Sequence, residues 1–332
     1  MKRICLIFRK PRPEFFSIEK VFASIRKELD QNYSITEISA PYSKITPWNL
    51  FQNMRFISKY RADIYHITGD AHYLALARPG KRTVLTIHDC GFLRIKKTWK
   101  RFILKKLLLD APVRHARIIT TISEFSRQDI ISHTGCSPEK IVVIPNPVDD
   151  YINFSTKEFN TECPVILFVG KTRNKNLRRV IAALKDIPCV LDIVGKIPPE
   201  LVPLLEKNRT KYQECSSIST SELSNKYANA DLLLFPSTFE GFGLPIIEAQ
   251  KAGRVVITSN LNPMKEVAGN GACLVDPCSI ESIRNGVLDV IANSDYRKNL
   301  IENGLRNVKR FSAEQTAKGY RKVYDSIVNS EW

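Results

Sequence analysis

The chain has 332 residues, of which 43% are hydrophobic and 25% charged, and it carries a net charge of +16. This composition is typical of a soluble globular protein, and the length favours two domains of about 150 residues each. No apolar run reaches the roughly 20 residues that cross a bilayer, and the N-terminus predicts a first strand rather than a signal peptide. Eight cysteines without a Cys-x-x-Cys pair favour reduced thiols in a cytosol over disulfides or zinc.

The positive charge is concentrated in the first half of the chain. Residues 1–150 contain 26 Lys and Arg against 14 Asp and Glu, whereas the remainder contains 24 against 20. We therefore expect the first half to meet a polyanion or an anionic membrane surface. The interleaved aromatic and basic motifs of the usual nucleic-acid modules are missing, so no nucleic-acid partner is expected, although a salt-sensitive gel shift would reopen that alternative.

The first half begins with a strand pattern over residues 2–8, a proline-interrupted loop and a helix start at Ser17. A strand, turn and helix in this order place the loop in a ligand crevice, so Ser17 is a candidate site residue. Further strand patterns put His66 and His88 at or near the C-terminal ends of two strands, and Asp89 follows His88. A single histidine is more often structural, but two at equivalent topological positions indicate a site.

Residues 94–109 contain seven basic and no acidic side chains. Apolar and basic positions segregate partly on a helical wheel, with Trp99 among the apolar ones. Such a segment suits an anionic bilayer surface, and a surface helix with a solvated basic face is the alternative.

The second half follows a polar linker over residues 150–162. It opens with a buried strand pattern over 164–169 and continues with Gly170-Lys-Thr-Arg173-Asn-Lys175. Basic side chains in a loop between a strand and a helix can bind a diphosphate. Arg173 and Lys175 are therefore candidate diphosphate-binding residues.

A second strand, loop and helix occupy residues 230–253. Glu240-Gly-Phe-Gly243 forms a glycine-containing loop before a helix that starts near Pro245. Free amides of the loop and helix suit phosphate. Glu240 lies on the loop and Glu248 is expected in the first helical turn, so both carboxylates are predicted to face one crevice. Alternatively, Glu248 only complements the helix dipole and Glu240 is solvated.

Several segments resemble the family 4 glycosyltransferases, which are retaining, metal-independent enzymes of the GT-B fold. The donor-site signature of that family is similar to Glu240-x7-Glu248 with Glu240-Gly-Phe-Gly-Leu-Pro245 and the segment 253–260. Lys175-Asn-Leu and His88-Asp89 resemble further family motifs. The chain departs from the family by lacking a glycine pair after its first strand and by carrying Pro147 in a Pro-Asn-Gly step.

The resemblance implies an α/β GT-B fold of two Rossmann-like doubly wound domains that face a cleft. Residues 1–150 would bind the acceptor, residues 163–312 the donor, and a helix over 313–332 would cross back to the first domain. Glu240 and His88 would act catalytically, with Ser17, His66 and Asp89 on the acceptor side. The implied donor-binding residues are Gly170, Arg173, Lys175, Ile218, Glu240, Gly241, Phe242, Gly243, Leu244 and Glu248.

The implied reaction moves mannose or another hexose from a GDP- or UDP-linked donor to a glycan acceptor. A lipid-linked acceptor of bacterial O-antigen or capsule synthesis is expected, with the enzyme cytoplasmic and peripheral at the inner face of the cytoplasmic membrane. No cofactor and no metal are expected, since no Asp-x-Asp motif occurs. A sugar-nucleotide epimerase of the same fold, or a scaffold without activity, stays open; the epimerase would convert the donor without any acceptor.

Overall fold

The computed structural model describes residues 1–11, 17–29, 33–94 and 98–329. The chain divides into two compact units: unit 1 comprises Met1–Pro147 with Ala313–Trp332, and unit 2 comprises Val148–Ser312. Each unit has a six-stranded sheet, and all strand pairs are parallel. Parallel sheets are covered on both faces by helices, which makes both units α/β as predicted.

Unit 1 carries its strands in the spatial order β2-β1-β3-β4-β5-β6. The strands are β1 (Lys2–Phe8), β2 (Tyr33–Ser39), β3 (Ile64–Ile67), β4 (Thr83–Thr86), β5 (Ile118–Thr121) and β6 (Ile141–Val143). The helices are α1 (Ser17–Leu29), α2 (Pro47–Ser58), α3 (Thr98–Lys105), α4 (Ala111–His115), α5 (Glu124–Thr134) and α13 (Ala313–Asn329).

The strands of unit 1 send alternate side chains to opposite faces of the sheet. On β1, Cys5 and Ile7 join the cluster that α2 covers, whereas Ile4 and Leu6 join the cluster that α1 and α13 cover. The strand over Lys2–Phe8 has the predicted bounds. Strand β6 ends at Val143, because Pro145 and Pro147 follow it and have no N–H to continue the ladder.

The helix α13 is held to the rest of unit 1 by side-chain hydrogen bonds that are buried or partly buried. His66 Nδ1 lies 2.7 Å from the Tyr324 hydroxyl, and Tyr33 donates to Asp325 over 2.6 Å. Thr316 donates to the carbonyl of Pro145 over 3.0 Å. These bonds add direction to the apolar packing of the helix.

Unit 2 carries its strands in the order β12-β11-β10-β7-β8-β9. The strands are β7 (Val165–Val169), β8 (Val190–Val194), β9 (Lys211–Cys215), β10 (Leu232–Phe235), β11 (Val255–Ser259) and β12 (Cys273–Val275). The helices are α6 (Leu177–Ala183), α7 (Val202–Lys207), α8 (Thr220–Asn229), α9 (Leu244–Lys251), α10 (Met264–Ala268), α11 (Ile280–Ala292) and α12 (Ser294–Val308).

The polar segment over residues 150–162 has no helix or strand, and Asp231 fixes its second part. The Asp231 carboxylate accepts from Lys157, from the amide of Asn160 over 3.1 Å and from the amide of Val165 over 2.7 Å. The strand predicted to begin at Ala230 is therefore too long. In the structure β10 begins at Leu232, and Asp231 before it forms hydrogen bonds with the linker.

Candidate active site

The sheet of unit 2 has a topological switch point between β7 and β10. Strand order proceeds outward from β7 through β8 to β9, and in the other direction from β10 through β11 to β12. In open parallel sheets, ligands bind beyond the carboxyl ends of the strands at such a point. The loops that leave β7 and β10 there are residues 170–176 and 236–243.

Gly170 begins the first of these loops with a φ of 142°, a value that L side chains rarely adopt. A Cβ at Gly170 would lie 2.4 Å from Cγ of Lys175. The missing side chain thus lets the aliphatic stem of Lys175 run against the backbone of its own loop. Arg173 and Lys175 belong to a short 3-10 helix, in which Arg173 is exposed.

Lys175 and Glu240, predicted separately from the two loops, form an ion pair. Lys175 Nζ lies 2.8 Å from Glu240 Oε1, with side-chain exposures of 17% and 13%. The ammonium also lies 4.5 Å from the centre of the Phe235 ring. Shielding from solvent strengthens such a pair relative to one on the open surface. A cation and a carboxylate are therefore held together at the switch point.

Two asparagines that the sequence analysis did not identify join the loops 170–176 and 236–243 by hydrogen bonds. Asn174 donates to the carbonyl of Phe239 over 2.8 Å, and Thr238 N donates to the carbonyl of Asn174 over 2.8 Å. Asn176, with a φ of 70°, donates to the carbonyl of Pro236 over 3.0 Å. Asparagine tolerates this left-handed conformation, which is the one sequence signal that could have found Asn176.

The second loop ends in Gly243, whose φ is 112°, and α9 begins at Leu244. Gly241 lies in the same loop and is half-buried. Phe242 is buried and packs edge-on against Phe311, with 5.7 Å between ring centroids. Its ring therefore belongs to the core, and the backbone amide is the part of Phe242 that suits a ligand.

Glu248 is the fifth residue of α9, so the expectation that it lies in the first turn is wrong. Glu248 is 6% exposed, and its carboxylate accepts from the Tyr227 hydroxyl over 2.6 Å and from the Tyr151 hydroxyl over 3.4 Å. Burial and the nearby carboxylate raise the pKa of Tyr227 far above its usual value, so the hydroxyl keeps its proton. Ile218 lies half-buried in the loop after β9, at the same edge of the sheet.

In unit 1, His88 follows β4 and is anchored by the loop after β3. Its Nε2 lies 2.9 Å from the carbonyl of Thr68, and a Cβ at Gly69 would lie 2.7 Å from the His88 ring. Burial lowers the pKa of His88, so the ring is neutral at pH 7. Because a carbonyl only accepts, Nε2 carries the proton and Nδ1 keeps its lone pair.

Charged residues surround this histidine. Asp89 accepts from the amide of Gly91 over 2.7 Å, which fixes the turn that follows His88. Arg9, which sequence reasoning missed, pairs with Asp70 and, over 3.3 Å, with Glu19. Arg9 is the first residue after β1 and lies at the switch point of unit 1. It belongs to the loop in which the family 4 glycosyltransferases often have a glycine pair.

The structure describes His66 in full and Ser17 only by its backbone. His66 is fully buried within β3, and its Nε2 lies 2.7 Å from the Thr86 hydroxyl, while Nδ1 faces Tyr324. Both ring nitrogens are thus used inside unit 1, which gives His66 a structural position. Ser17 is the first residue of α1, and its side chain falls outside the described part of the structure.

The segment over residues 94–109 is helical only in part. A 3-10 turn ends at Arg94, residues 95–97 lie outside the described ranges, and α3 is followed by a π-helical turn over Lys106–Asp110. Within the described residues, no helix is long and apolar enough to cross a membrane, and no group of three or more His, Cys, Asp or Glu is arranged to hold a metal ion.

Two family models match the chain in succession. Glycosyltransferase Family 4 matches residues 13–151, and Glycosyl transferases group 1 matches residues 150–307. The chain belongs to the family 4 glycosyltransferases, and it is a glycosyltransferase with the GT-B fold, which confirms both the resemblance and the predicted fold class.

Among similar proteins, O-antigen chain mannosyltransferase B of Escherichia coli is 28% identical over 79% of this chain and 75% of its own length. The MMP alpha-(1->4)-mannosyltransferase of Mycolicibacterium hassiacum is 26% identical over 97% of this chain and 82% of its own.

Solved structures share the fold at lower identity. Sucrose-phosphate synthase from Thermosynechococcus elongatus has a TM-score of 0.77 at 16% identity, with both chains fully covered. WaaG, a glycosyltransferase involved in lipopolysaccharide biosynthesis, has a TM-score of 0.72 at 18% identity, covering 99% of this chain and 100% of WaaG. Anabaena HepE, in complex with UDP-glucose, has a TM-score of 0.77 at 14% identity, covering 98% and 100%.

Proposed function

We propose that this glycosyltransferase moves a hexose, with retention of configuration, from a GDP- or UDP-linked donor to a glycan acceptor. The observation that carries the proposal is the Lys175–Glu240 pair at the switch point of unit 2. A nucleotide sugar needs cations for its diphosphate and hydrogen-bond acceptors for its hydroxyls, and this pair offers one of each. The UDP-glucose complex of the similar HepE agrees with such a donor.

In this proposal the basic side chains and backbone amides contact the diphosphate, and the carboxylates contact the hydroxyl groups of the donor. Lys175 and the exposed Arg173 stabilise the negative charge that develops on the leaving nucleoside diphosphate. Amides of residues 241–244 support the phosphates, and Glu240 orients hydroxyls of the donor sugar. The amide of Gly170 donates to the carbonyl of Val194 over 2.9 Å, so Gly170 serves the site through the room it leaves for Lys175. Glu248 holds the ribose, and Ile218 lies toward the base.

The transfer then runs as a front-side displacement. The acceptor oxygen forms a bond to the anomeric carbon while the bond from that carbon to the phosphate oxygen breaks. The acceptor proton passes to the departing phosphate, and no side chain is needed as the nucleophile. His88, neutral and fixed by Thr68, positions donor sugar and acceptor, with Asp89 beside it. The positive side chains act on the diphosphate, so this scheme requires neither a metal ion nor another cofactor.

The names of the similar proteins suggest the pathway. They include mannosyltransferases of O-antigen chains and a glycosyltransferase of lipopolysaccharide synthesis. We infer a mannosyl or other hexosyl donor and a lipid-linked acceptor of bacterial surface polysaccharide. Such an acceptor would be met at the inner face of the cytoplasmic membrane.

An exposed apolar and basic surface of unit 1 supports this location, and we call it the α2–α3 surface. Among the described residues, seven of fourteen exposed large hydrophobic side chains lie in α2, α3 or the loop before α2. They are Tyr42, Ile45, Trp48, Phe51, Trp99, Phe102 and Ile103. Residues 40–62 and 91–109 contain no acidic side chain, so apolar and basic groups are combined as an anionic bilayer requires. Sequence reasoning had found the basic segment but not the aromatics of α2.

A nucleotide-binding panel tests the donor site. We expect UDP, GDP or their sugars to stabilise the protein in a thermal-shift assay, by about 2.7 kcal/mol at 100 times the dissociation constant. Lys175→Ala and Glu248→Ala should lose most of this stabilisation. Lys298→Ala and Glu302→Ala, which change exposed charges on α12, should keep it. If no nucleotide stabilises the wild type, the donor assignment is wrong.

Product analysis separates transfer from epimerisation. With the nucleotide that binds, the proposed enzyme forms a new glycoside only when a glycan acceptor is present. Conversion of the donor sugar without acceptor would identify an epimerase instead.

A further inference from the structure

Unit 1 has a topological switch point of its own, between β1 and β3. Strand order runs outward from β1 to β2 and, in the other direction, from β3 through β4 to β6. The loops that leave β1 and β3 there begin with Arg9 and Thr68, and His88 follows the adjacent strand β4. A ligand of unit 1 is therefore expected to meet the side chains of these loops.

Asp70 lies in the turn that packs against the ring of His88. The preceding residue, Gly69, leaves no room for a side chain between its backbone and that ring. Asp70 itself has a φ of 47°, a left-handed conformation that is uncommon for residues other than glycine and that Asp tolerates better than most. The charges of Asp70 and Asp89 both act on the ring. The turn thus fixes a carboxylate beside the histidine.

Arg9 holds one oxygen of Asp70 and leaves the other open. Its Nη1 donates to Oδ2 of Asp70, while Nε and Nη2 donate to the two oxygens of Glu19 over 3.3 and 3.4 Å. The side chain of Arg9 is 14% exposed, whereas that of Asp70 is 53% exposed. Within the described ranges, Oδ1 of Asp70 accepts no hydrogen bond, so it can receive one from a ligand.

The charge at this edge of the sheet is opposite in sign to that of the surrounding half of the chain. Asp70 and Asp89 lie in the turns beside the histidine, and Glu19 adds a third carboxylate next to Arg9. Three carboxylates against one guanidinium give these side chains a net charge of −2, whereas residues 1–150 contain 26 basic against 14 acidic side chains. A phosphate or carboxylate brought to Oδ1 of Asp70 would be repelled, whereas a sugar hydroxyl would donate to it.

We propose that Asp70 is a specificity-determining residue for the acceptor and that Arg9 is the positioning residue that holds it. Oδ1 of Asp70 accepts from a hydroxyl of a sugar ring that carries no negative charge. The hexose is thus transferred to an uncharged sugar unit and not directly to a lipid phosphate, so an earlier glycosyl transfer must supply that unit. This inference rests on the proposed function and names the class of its acceptor.

The test compares acceptors that differ in one group. Octyl glucoside and octyl glucuronide share the ring and the alkyl chain, but the second has a carboxylate in place of the hydroxymethyl group. Octyl mannoside and its uronide form a second matched pair, and dodecyl phosphate is a lipid phosphate without a sugar. With a nucleotide sugar that binds in the thermal-shift panel, the wild type should have a kcat/KM at least roughly tenfold higher for a neutral glycoside than for its uronide. Dodecyl phosphate should not be glycosylated.

Substitutions of the two residues should move this ratio in opposite directions. Asp70→Asn removes a charged acceptor, so kcat/KM for the neutral glycoside should fall roughly ten- to a hundredfold and the ratio should fall toward one. Arg9→Met removes the positive charge and leaves the carboxylates, so the rate should fall while the ratio rises. A variant that merely disturbs the fold of unit 1 would lower both rates by one factor and keep the ratio.

Glu139→Gln is the matched control. It removes an exposed carboxylate of unit 1 in the turn before β6, at the opposite edge of the sheet, and should change neither rate. Circular dichroism melting of all three variants checks that each is folded at the assay temperature.

The outcomes distinguish this inference from the proposed function. If a uronide or dodecyl phosphate is the better acceptor, or if Asp70→Asn keeps the wild-type ratio, the role of Asp70 is overturned while the donor site stands. If a nucleotide sugar binds but none of these probes is glycosylated, the acceptor class named here is wrong. If no nucleotide sugar binds at all, the proposed function has failed first.

Discussion

Gly170 makes the position of Lys175 possible, because any side chain there would occupy the space of the lysine stem. The φ of 142° and the Cβ position 2.4 Å from Lys175 Cγ are two separate obstacles to substitution. The backbone conformation limits which residue fits, and the contact ties that residue to the cation of the site. Gly170 is therefore expected to contribute both to the stability of the fold and to the binding of the ligand.

Replacing Gly170 by alanine should lower the free energy of unfolding by about 1–3 kcal/mol and also weaken nucleotide binding. Gly135→Ala is the matched control, since Gly135 has a φ of 67° but nothing within 4 Å of its Cβ position. We expect a cost of about 1–2 kcal/mol there with unchanged nucleotide affinity. Urea unfolding and calorimetric titration measure the two quantities. Wild-type affinity in Gly170→Ala would show that the loop geometry is dispensable.

The sequence predicts some of the residues of the candidate site but not all of the contacts between their side chains. Lys175 and Glu240 follow strand patterns and could be predicted, and the structure brings them into contact. Tyr227 and Tyr151 could not, because their partner Glu248 is 21 and 97 residues away along the chain. No local spacing encodes a contact of that range.

Helix α13 shows how an element depends on one neutral histidine. Burial lowers the pKa of His66 to about 3, and its two nitrogens face Tyr324 and Thr86. In the unfolded chain a histidine has a pKa of about 6.5. Between these values the unfolded state binds more protons, so His66 contributes less stability as the pH falls from about 6.5 toward 3.

The pH dependence of unfolding tests this assignment. The free energy of unfolding of the wild type should fall below pH 6.5, with His66 accounting for up to about 1.4 kcal/mol per pH unit. His66→Asn should be less stable at pH 7.5, and its disadvantage should shrink by pH 5. Tyr324→Phe, which keeps the titrating ring, should cost about 1 kcal/mol and retain the steep profile. Parallel profiles of wild type and His66→Asn would contradict the assignment.

The α2–α3 surface predicts binding to anionic vesicles. Leu50 and Met54 of α2 and Leu104 of α3 pack against one core cluster, so both helices cover the same face of the sheet in unit 1. Trp48 and Trp99, which are 66% and 64% exposed, point away from that core.

Sedimentation with phosphatidylglycerol vesicles should recover the wild type in the pellet, and added salt should reduce that fraction. The double variants Trp48→Ala/Phe51→Ala and Trp99→Ala/Phe102→Ala should each bind roughly tenfold more weakly, because aromatic burial is lost. Tyr212→Ala, an exposed aromatic of unit 2, should bind like the wild type. Equal binding by all variants, or none by the wild type, would exclude this surface.

At the scale of the whole molecule, the proposed donor residues all belong to unit 2, whereas His88 belongs to unit 1. Hydrogen exchange should therefore respond in two steps. A nucleoside diphosphate should slow exchange over residues 170–176 and 236–248 alone, and the complete nucleotide sugar should add residues 87–91. Protection of the second group by the diphosphate alone would contradict the proposed division of roles.

Both sheets could be predicted in outline, because buried parallel strands are near-continuous apolar runs between glycines and prolines. The strand over residues 2–8 was predicted with the bounds that β1 has in the structure. Register, strand order and the course of residues 94–109 were not available from the pattern. Strand order depends on contacts between distant segments, and the π-helical turn over Lys106–Asp110 interrupts the helical spacing on which the prediction relied.

The grouping of α13 with unit 1 has a consequence for biosynthesis. Unit 2 is one continuous stretch, Val148–Ser312, and can fold as soon as it leaves the ribosome. The first part of unit 1 is translated before unit 2, yet its sheet lacks the helix that covers Phe22 and His66 until residues 313–329 emerge. The half made first is thus completed last, and a nascent chain that stops before Ala313 would present an open apolar face to chaperones and proteases.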